Sequence, residues 1–179
     1  YKALGPLNRR VQPKQFYSIK AGYHHAASAE SFDALNSSDE YQRSVYELAG
    51  EYASRINDAS ILDVGCGSGY KLVNMLGQFH TIGIEVDPAY SWLVRTYPNR
   101  RWMLYDPLNM PDLNADIVIC SDVIEHIANP DDMMTFLTQV QFNYLILSTP
   151  ERDRIFGKND YGPPQNTSHY REWNTGEFA

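Results

Sequence analysis

The chain has 179 residues, 43% of them hydrophobic, and a formal net charge of −7 at pH 7. This length fits one domain with a sizeable core, and no apolar run approaches membrane-spanning length. The acidic balance disfavours a broad nucleic-acid footprint. Cys66 and Cys120 are too few for a disulfide framework, so we expect reduced thiols in a cytoplasmic protein.

The beginning of the chain is predicted to form an N-terminal arm or lid over residues 1–38, ahead of a larger domain over residues 39–179. Scattered prolines and a glycine favour an extended arm with a short helix near residues 26–35. The first residue is not Met, and the N-terminus has no apolar signal region. We therefore expect the sequence to be part of a longer chain.

The remainder alternates between helix and strand patterns. Asp39 is placed to cap a helix over Tyr41–Ile56, where apolar residues recur every three or four positions. Regular alternation of the two element types predicts an α/β fold with a mainly parallel sheet. Strands are expected at residues 61–64, 80–85, 101–105, 116–120 and 143–149, with helices starting near residues 70, 90 and 130.

A short apolar strand runs into a glycine-rich turn at Ile61–Gly69. Gly65, Gly67 and Gly69 permit backbone conformations and close approaches that a Cβ would block. A helix is predicted to start at Tyr70, so strand, turn and helix N-terminus together form a nucleotide-type binding corner. The glycine spacing does not match the dinucleotide fingerprint, which argues against a nicotinamide dehydrogenase.

Acidic side chains follow four of the predicted strands. In an open parallel sheet, ligands bind at the carboxyl ends of the strands. Asp63 and Glu85 end the first two strands, and an acid in the position of Glu85 can accept hydrogen bonds from both hydroxyls of a ribose. Asp106 ends the third strand and Asp122 follows the fourth. Four acids at one sheet edge indicate a ligand site more specifically than the glycines do.

From about Tyr41 to Phe178, these segments resemble the successive motifs of class I S-adenosylmethionine-dependent methyltransferases, including the type 11, 12 and 23 families and the ubiquinone-biosynthesis O-methyltransferases. The resemblance implies a Rossmann-like three-layer α/β/α sandwich whose last strands lie beyond residue 179. It also implies S-adenosylmethionine as methyl donor and S-adenosylhomocysteine as product. The cofactor-binding residues implied are Asp63, Gly65, Cys66, Gly67, Gly69, Glu85, Val86, Asp106, Pro107, Leu108, Ser121 and Asp122.

Asp122, Glu125 and His126 have the spacing of residues on one face of a helical turn. The segment is similar to the Glu-x-x-Glu-His segment of metal-dependent O-methyltransferases, including the small-RNA 2′-O-methyltransferases, with Asp replacing the first Glu. His169 matches a later His that completes the metal site in the RNA enzymes. The resemblance implies a Mg²⁺ or Mn²⁺ site formed by Asp122, Glu125, His126 and His169. Without a metal, the catalytic residues Glu125, His126 and His169 are expected to act as a base or to contact the substrate.

The predicted reaction is O-methylation, with N-methylation left open. The tail of the chain also resembles methyltransferases of bacterial polysaccharide synthesis, so the preferred acceptor is a small-molecule or glycan-precursor hydroxyl. No nucleic-acid partner is expected. Arg152, Arg154 and Arg171 are interpreted as solvated loop charges or contacts to a nucleotide-sugar phosphate. The alternatives are a metal-dependent enzyme like the RNA 2′-O-methyltransferases and a catalytically silent cofactor-binding protein.

Overall fold

A computed structural model gives the structure of most of the chain, describing residues 17–33, 35, 40–107 and 109–178. Three predictions lie outside the described residues: the helix cap at Asp39, the cofactor contact at Leu108 and the domain boundary after residue 38. The division into an arm and a domain therefore stays a prediction. Within the described ranges, no helix is both long enough and apolar enough to cross a bilayer.

The described residues form two compact units. The first, which we call the sheet unit, contains residues from 32 to 123 and from 131 to 148. The second, which we call the histidine unit, combines three separate stretches of chain, namely residues 17–31, 124–130 and 149–178.

Five strands form the sheet of the sheet unit, in the order β3-β2-β1-β4-β5, and every pair is parallel. The central strand, β1, pairs with β2 and β4, and its residues Ile61, Leu62 and Val64 are buried. Consecutive buried apolar residues suit a parallel strand covered on both faces. The strands are β1 (Ser60–Val64), β2 (His80–Glu85), β3 (Arg101–Leu104), β4 (Asn114–Ser121) and β5 (Gln141–Ser148).

Helices connect β1 to β2, β2 to β3 and β4 to β5, which confirms the predicted Rossmann-like α/β fold. The first helix places Tyr46, Ala49 and Ala53 in the core, at the three- and four-residue spacing that the sequence shows. Two further helices of one turn each lie in the histidine unit. The helices are α1 (Arg43–Ala53), α2 (Tyr70–Leu76), α3 (Ala89–Thr96), α4 (Pro130–Gln139), α5 (Arg152–Ile155) and α6 (Thr175–Phe178).

The N-terminal stretch of the chain differs from the prediction, because the described residues 26–33 and 35 form no helix. Its backbone groups pair with the end of the chain instead. The Ala26 N–H donates to the carbonyl of Tyr170, and the Glu30 N–H donates to the carbonyl of Thr167. Hydrogen bonds to a distant segment thus replace the local bonds of a helix.

Candidate active site

The glycine turn joins β1 to α2 through three residues with positive φ. Gly65, Gly67 and Gly69 have φ angles of 76°, 57° and 65°, a region that residues with a Cβ rarely adopt. A Cβ on Gly69 would lie 2.6 Å from Cδ2 of Leu93, and a Cβ on Gly65 would overlap the side chain of Val123. Backbone conformation and lack of space therefore both require glycine at Gly65 and Gly69.

Glu85, at the end of β2, holds the glycine turn through its carboxylate. Its Oε1 accepts from the Gly67 N–H at 3.0 Å, and its Oε2 accepts from the Val86 N–H at 2.6 Å. Burial raises the pKa of Glu85, and the two N–H groups oppose this effect. Each carboxylate oxygen keeps a second lone pair, so Glu85 can still accept from the hydroxyls of a ligand.

Asp63, also predicted to bind the cofactor, lies in the core at the base of the turn. The Tyr46 hydroxyl donates to Asp63 Oδ2 at 2.8 Å. Among the residues that the structure describes, Oδ1 has no hydrogen-bond partner. Burial raises the pKa of Asp63 to about 7, although the Tyr46 hydrogen bond and the charge of Lys71 act in the opposite direction. A nearby cationic ligand would favour its ionised form.

Other predicted cofactor contacts lie around the same strand ends. Asp106 follows β3 and accepts from Asn109 Nδ2 at 2.7 Å through its Oδ2. Pro107 and Val86 are exposed, whereas Cys66 is buried as a free thiol. These positions stay predicted contacts.

Ser148 links the ends of β4 and β5. Its hydroxyl donates to Asp122 Oδ1 at 2.8 Å and lies 2.7 Å from the hydroxyl oxygen of Ser121. Because Ser148 gives its one hydroxyl proton to the carboxylate, Ser121 donates to Ser148. The Asp122 N–H also donates to the Ser148 carbonyl. The carboxylate of Asp122 is therefore oriented from within the sheet unit.

Three of the four predicted metal ligands come together in the histidine unit. Glu125, His126 and His169 each offer one ligand atom, and these atoms lie within 4.8 Å of one another. Asp122 is not part of this group. The predicted spacing required a regular helical turn beginning at Asp122, but that residue has a φ of 51° and the 3₁₀ turn spans only Ile124–His126. The helical alignment of the three side chains is therefore absent.

His126 presents a neutral imidazole with a defined tautomer. Its Nδ1 lies 2.9 Å from the carbonyl oxygen of Ser168. A carbonyl oxygen only accepts, so Nδ1 carries the proton and Nε2 has the lone pair. Burial lowers the pKa of His126 to about 4, because the charged imidazolium is poorly solvated there. His126 is consequently neutral at physiological pH.

His169 stands against His126 with its ring nearly perpendicular, at a centroid distance of 4.7 Å. Its Nδ1 lies 2.7 Å from Glu172 Oε1, and its Nε2 lies 3.0 Å from Asn166 Nδ2. Two imidazole nitrogens and the Glu125 carboxylate form a nitrogen and oxygen donor set that fits a divalent cation. Three protein ligands leave coordination positions for a substrate, as in catalytic metal sites.

Arg152 and Arg171 are buried. Their interpretation as solvated loop charges or phosphate contacts is therefore wrong. Arg152 is 0% exposed and makes a two-pronged hydrogen-bonded ion pair with Glu177, at 2.8 and 2.9 Å. Arg171 donates to the carbonyls of Ile127 and Ala128. Both guanidinium groups hold segments of the histidine unit together, whereas Arg154 is exposed.

Sequence reasoning missed the side chains that support the candidate cofactor-binding and catalytic groups. Tyr46 lies on the apolar stripe of α1, where an aromatic residue is ordinarily part of the core. Glu172 stands three residues after His169, a spacing that indicates contact when the segment turns. Asn166 and Ser168 carry no distinctive pattern, and only the structure identifies their roles.

The parallel sheet, the glycine turn after its first strand and the acid at the end of the second define a class I S-adenosylmethionine-dependent methyltransferase fold. Residues 35–177 match a family model described as a methyltransferase domain. The chain belongs to this methyltransferase family.

Curated relatives of the chain include tRNA U34 carboxymethyltransferases. The one from Aliivibrio salmonicida is 35% identical over 96 residues, which cover 48% of this chain and 30% of the relative. The one from Vibrio campbellii is 32% identical over 110 residues, which cover 55% of this chain and 34% of the relative. The chain thus spans about a third of the length of the curated relatives it matches.

Solved structures show the same fold at low identity. The small RNA methyltransferase HEN1 has a TM-score of 0.58 and 22% identity, covering 84% of this chain and 22% of that chain. The plantazolicin methyltransferase BpumL, in complex with a triazolic desmethylPZN analog and SAH, has a TM-score of 0.58 and 18% identity. That match covers 81% of this chain and 63% of that chain.

These relatives overturn the expectation that no nucleic acid is a partner. The curated relatives are tRNA enzymes by name, and HEN1 is a small RNA methyltransferase. The expectation rested on the net charge of −7. Net charge sums over all residues and does not describe the surface that meets a substrate, so it is a weak guide to one binding site.

Proposed function

We propose that the chain carries an enzyme domain that transfers a methyl group from S-adenosylmethionine to a hydroxyl group of an RNA, and that the RNA is a tRNA. The similarity to tRNA-modifying relatives supports the RNA acceptor. The observation that carries the hydroxyl chemistry is the close grouping of Glu125, His126 and His169. A tRNA substrate also agrees with the predicted cytoplasmic location.

The strand ends of the sheet unit supply the cofactor site in this proposal. When bound, S-adenosylmethionine supplies a sulfonium methyl group that an acceptor oxygen can attack in line. Glu85 accepts hydrogen bonds from the ribose hydroxyls while it keeps the Gly67 N–H in place. Asp63 Oδ1 accepts from the ammonium of the methionine portion. Asp106 accepts from the adenine amino group, and Asp122 contacts the methionyl end.

The histidine unit supplies the chemistry at the acceptor hydroxyl. A hydroxyl has to lose its proton as its oxygen forms the new bond, so a nearby proton acceptor or cation accelerates the transfer. Glu125 and the Nε2 atoms of His126 and His169 can accept that proton or hold a divalent cation. Such a cation would lower the pKa of the hydroxyl and orient it. Mg²⁺ prefers oxygen ligands, so two imidazoles make Mn²⁺ the better candidate of the two predicted ions.

The test is methyl transfer to purified RNA. Total tRNA is incubated with the protein and S-adenosylmethionine labelled in the methyl group, and the product is divided into nuclease-treated and untreated samples. We expect label that nuclease releases, and mass spectrometry of the nucleosides distinguishes a methyl from a carboxymethyl group. Glu85→Gln should abolish labelling through weaker cofactor binding. Glu125→Gln should abolish it with cofactor affinity unchanged. Label only in nuclease-resistant material would contradict the proposal.

A further inference from the structure

The two ring nitrogens of His169 have partners of different chemistry. Glu172 Oε1 lies 2.7 Å from Nδ1, and Asn166 Nδ2 lies 3.0 Å from Nε2. His169 is 6% exposed and Glu172 is 2% exposed, so these contacts are shielded from water. One ring nitrogen thus faces a buried carboxylate and the other faces an amide.

The hydrogen bonds of Asn166 determine which nitrogen of His169 carries the proton. Asn166 Oδ1 accepts from the Ser168 backbone N–H at 3.0 Å and from the Ser168 hydroxyl at 2.8 Å. An N–H group can only donate, which assigns the oxygen and nitrogen of the Asn166 amide. The amide NH₂ therefore donates to His169 Nε2. His169 Nε2 is the acceptor, and Nδ1–H donates to Glu172.

We infer that Glu172 and Asn166 are positioning residues with opposite effects on cation binding at His169. Glu172 holds the proton on Nδ1 and so directs the Nε2 lone pair into the Glu125–His126–His169 cluster. Asn166 occupies that same lone pair until a cation displaces its amide. This inference rests on the metal site of the proposed function, and it concerns the residues around the cluster.

The contacts around Glu172 agree with its role as a positioning residue. Its backbone N–H donates to the Tyr23 hydroxyl at 3.0 Å, and its carbonyl accepts from Arg152 Nη1 at 3.0 Å. Both bonds fix the backbone that carries the carboxylate. In the described part of the chain, Glu172 Oε2 has no hydrogen-bond partner. A buried carboxylate is stabilised by nearby positive charge, which a cation on the far nitrogen of His169 supplies.

Two variants that should change Mn²⁺ affinity in opposite directions test this assignment. We expect Glu172→Gln to weaken Mn²⁺ binding by about 10- to 100-fold, the usual effect of losing a carboxylate behind a ligating histidine. Asn166→Ala should strengthen Mn²⁺ binding by a few-fold, because the cation no longer competes with an amide. Asn159→Ala, at an exposed position, is the matched control and should leave affinity unchanged. Calorimetric titration of the cofactor-free proteins with MnCl₂ provides the measurement.

A merely structural role predicts a different pattern, in which both variants lose affinity along with thermal stability. That result, or unchanged affinity in both, would overturn the inference. Nitrogen NMR of metal-free protein at pH 8.5, where imidazoles are ordinarily neutral, gives a second test. We expect His169 in the Nδ1–H tautomer, and a mixture of tautomers in Glu172→Gln. An Nε2–H tautomer in the unsubstituted protein would overturn the inference.

The two proposals can fail separately. Absence of Mn²⁺ binding together with methyl transfer to RNA would remove the inference and leave the RNA function without its metal. Opposite effects of the two variants on Mn²⁺ affinity, with no methyl transfer to RNA, would support the inference and remove the proposed function.

Discussion

Tyr46 and Asp63 form a 2.8 Å hydrogen bond in the core of the sheet unit, at the base of the glycine turn. Both side chains are buried, and burial raises the pKa of the Tyr46 hydroxyl well above its usual range. Tyr46 is therefore the donor. The pair leaves a carboxyl group with a pKa of about 7 beside the candidate cofactor site.

This pKa predicts pH-dependent cofactor binding. S-adenosylhomocysteine carries an ammonium group that favours ionised Asp63, so the affinity should be constant above about pH 7. As pH falls through the pKa of about 7, Asp63 takes up a proton in the free protein and the affinity should fall, by up to about tenfold per pH unit. Calorimetry between pH 5.5 and 8.5 measures the profile.

Two variants test whether Asp63 causes this pH dependence of cofactor affinity. Asp63→Asn should bind more weakly at pH 8 and lose the pH dependence. Tyr46→Phe should move the midpoint to higher pH, because the Tyr46 hydrogen bond lowers the pKa of Asp63. Identical profiles for Asp63→Asn and the unsubstituted protein would show that another group titrates.

The crowding around the glycine turn predicts a large loss of stability in Gly65→Ala. The added methyl group would overlap Val123, and Gly65 has a φ of 76°. We expect the free energy of unfolding to fall by about 3 kcal/mol, from backbone strain and overpacking together. Urea unfolding followed by circular dichroism measures the change.

Gly157→Ala separates strain from overpacking, because Gly157 has a φ of 88° and no atom of the described residues lies within 4 Å of an added Cβ. That variant should lose only about 1 kcal/mol. Combining Gly65→Ala with Val123→Ala should cost less than the sum of the single changes. Strict additivity would mean that the methyl group does not meet Val123.

The donor set of the histidine unit predicts metal-dependent activity. Activity should be lost in chelator and return when Mn²⁺ is added, because the cation activates and orients the acceptor hydroxyl. His126→Ala and His169→Ala should each lower the rate by about 100-fold or more through loss of a ligand. Initial rates of methyl transfer to tRNA provide the measurement.

Cofactor affinity serves as the control, since the residues assigned to it belong to the sheet unit. Cofactor affinity should be unchanged by either histidine substitution. Full methyl transfer by both histidine variants would rule out their catalytic assignment. Activity that persists in chelator would rule out the metal while leaving the base role open to test.

The buried ion pair of Arg152 predicts that Glu177 is a strong determinant of stability. Glu177→Gln would leave the buried guanidinium with one charged partner, Asp153, whose Oδ1 lies 3.3 Å from Nη2, at a cost of about 3 kcal/mol. Glu51→Gln breaks an exposed helical pair with Arg55 and should cost less than about 0.5 kcal/mol. Thermal unfolding compares the two variants, and similar small losses of stability would mean that Asp153 alone suffices to pair Arg152.

The sequence predicted the sheet because its strands are apolar runs between turn residues. Strand ends were less accurate, since pairing and not composition determines them. β4 and β5 each begin two residues earlier than predicted, where Asn114 pairs with Gln141 in register. The glycine turn and Glu85 were predicted because motif spacing places them at one sheet edge.

The supporting contacts were not predictable, because they join residues far apart in the chain. Tyr46 and Asp63 are 17 positions apart, and His126 and Ser168 are 42 apart. Hydrophobic periodicity and local spacing contain no information about such pairs. At Asp122 the sequence pattern predicted an arrangement that the structure lacks. Regular spacing indicated a shared helical face, but Asp122 has a left-handed backbone conformation, so the helical turn does not begin there.

The surroundings of His169 include the chain's N-terminal stretch, although Tyr23 and Glu172 are 149 positions apart. The sheet unit contains none of that stretch. Substitutions near Tyr23 are therefore expected to alter the geometry around Glu172 and His169. Under the proposed function, divergence in this stretch would change the site for the acceptor hydroxyl without changing the residues assigned to the methyl donor.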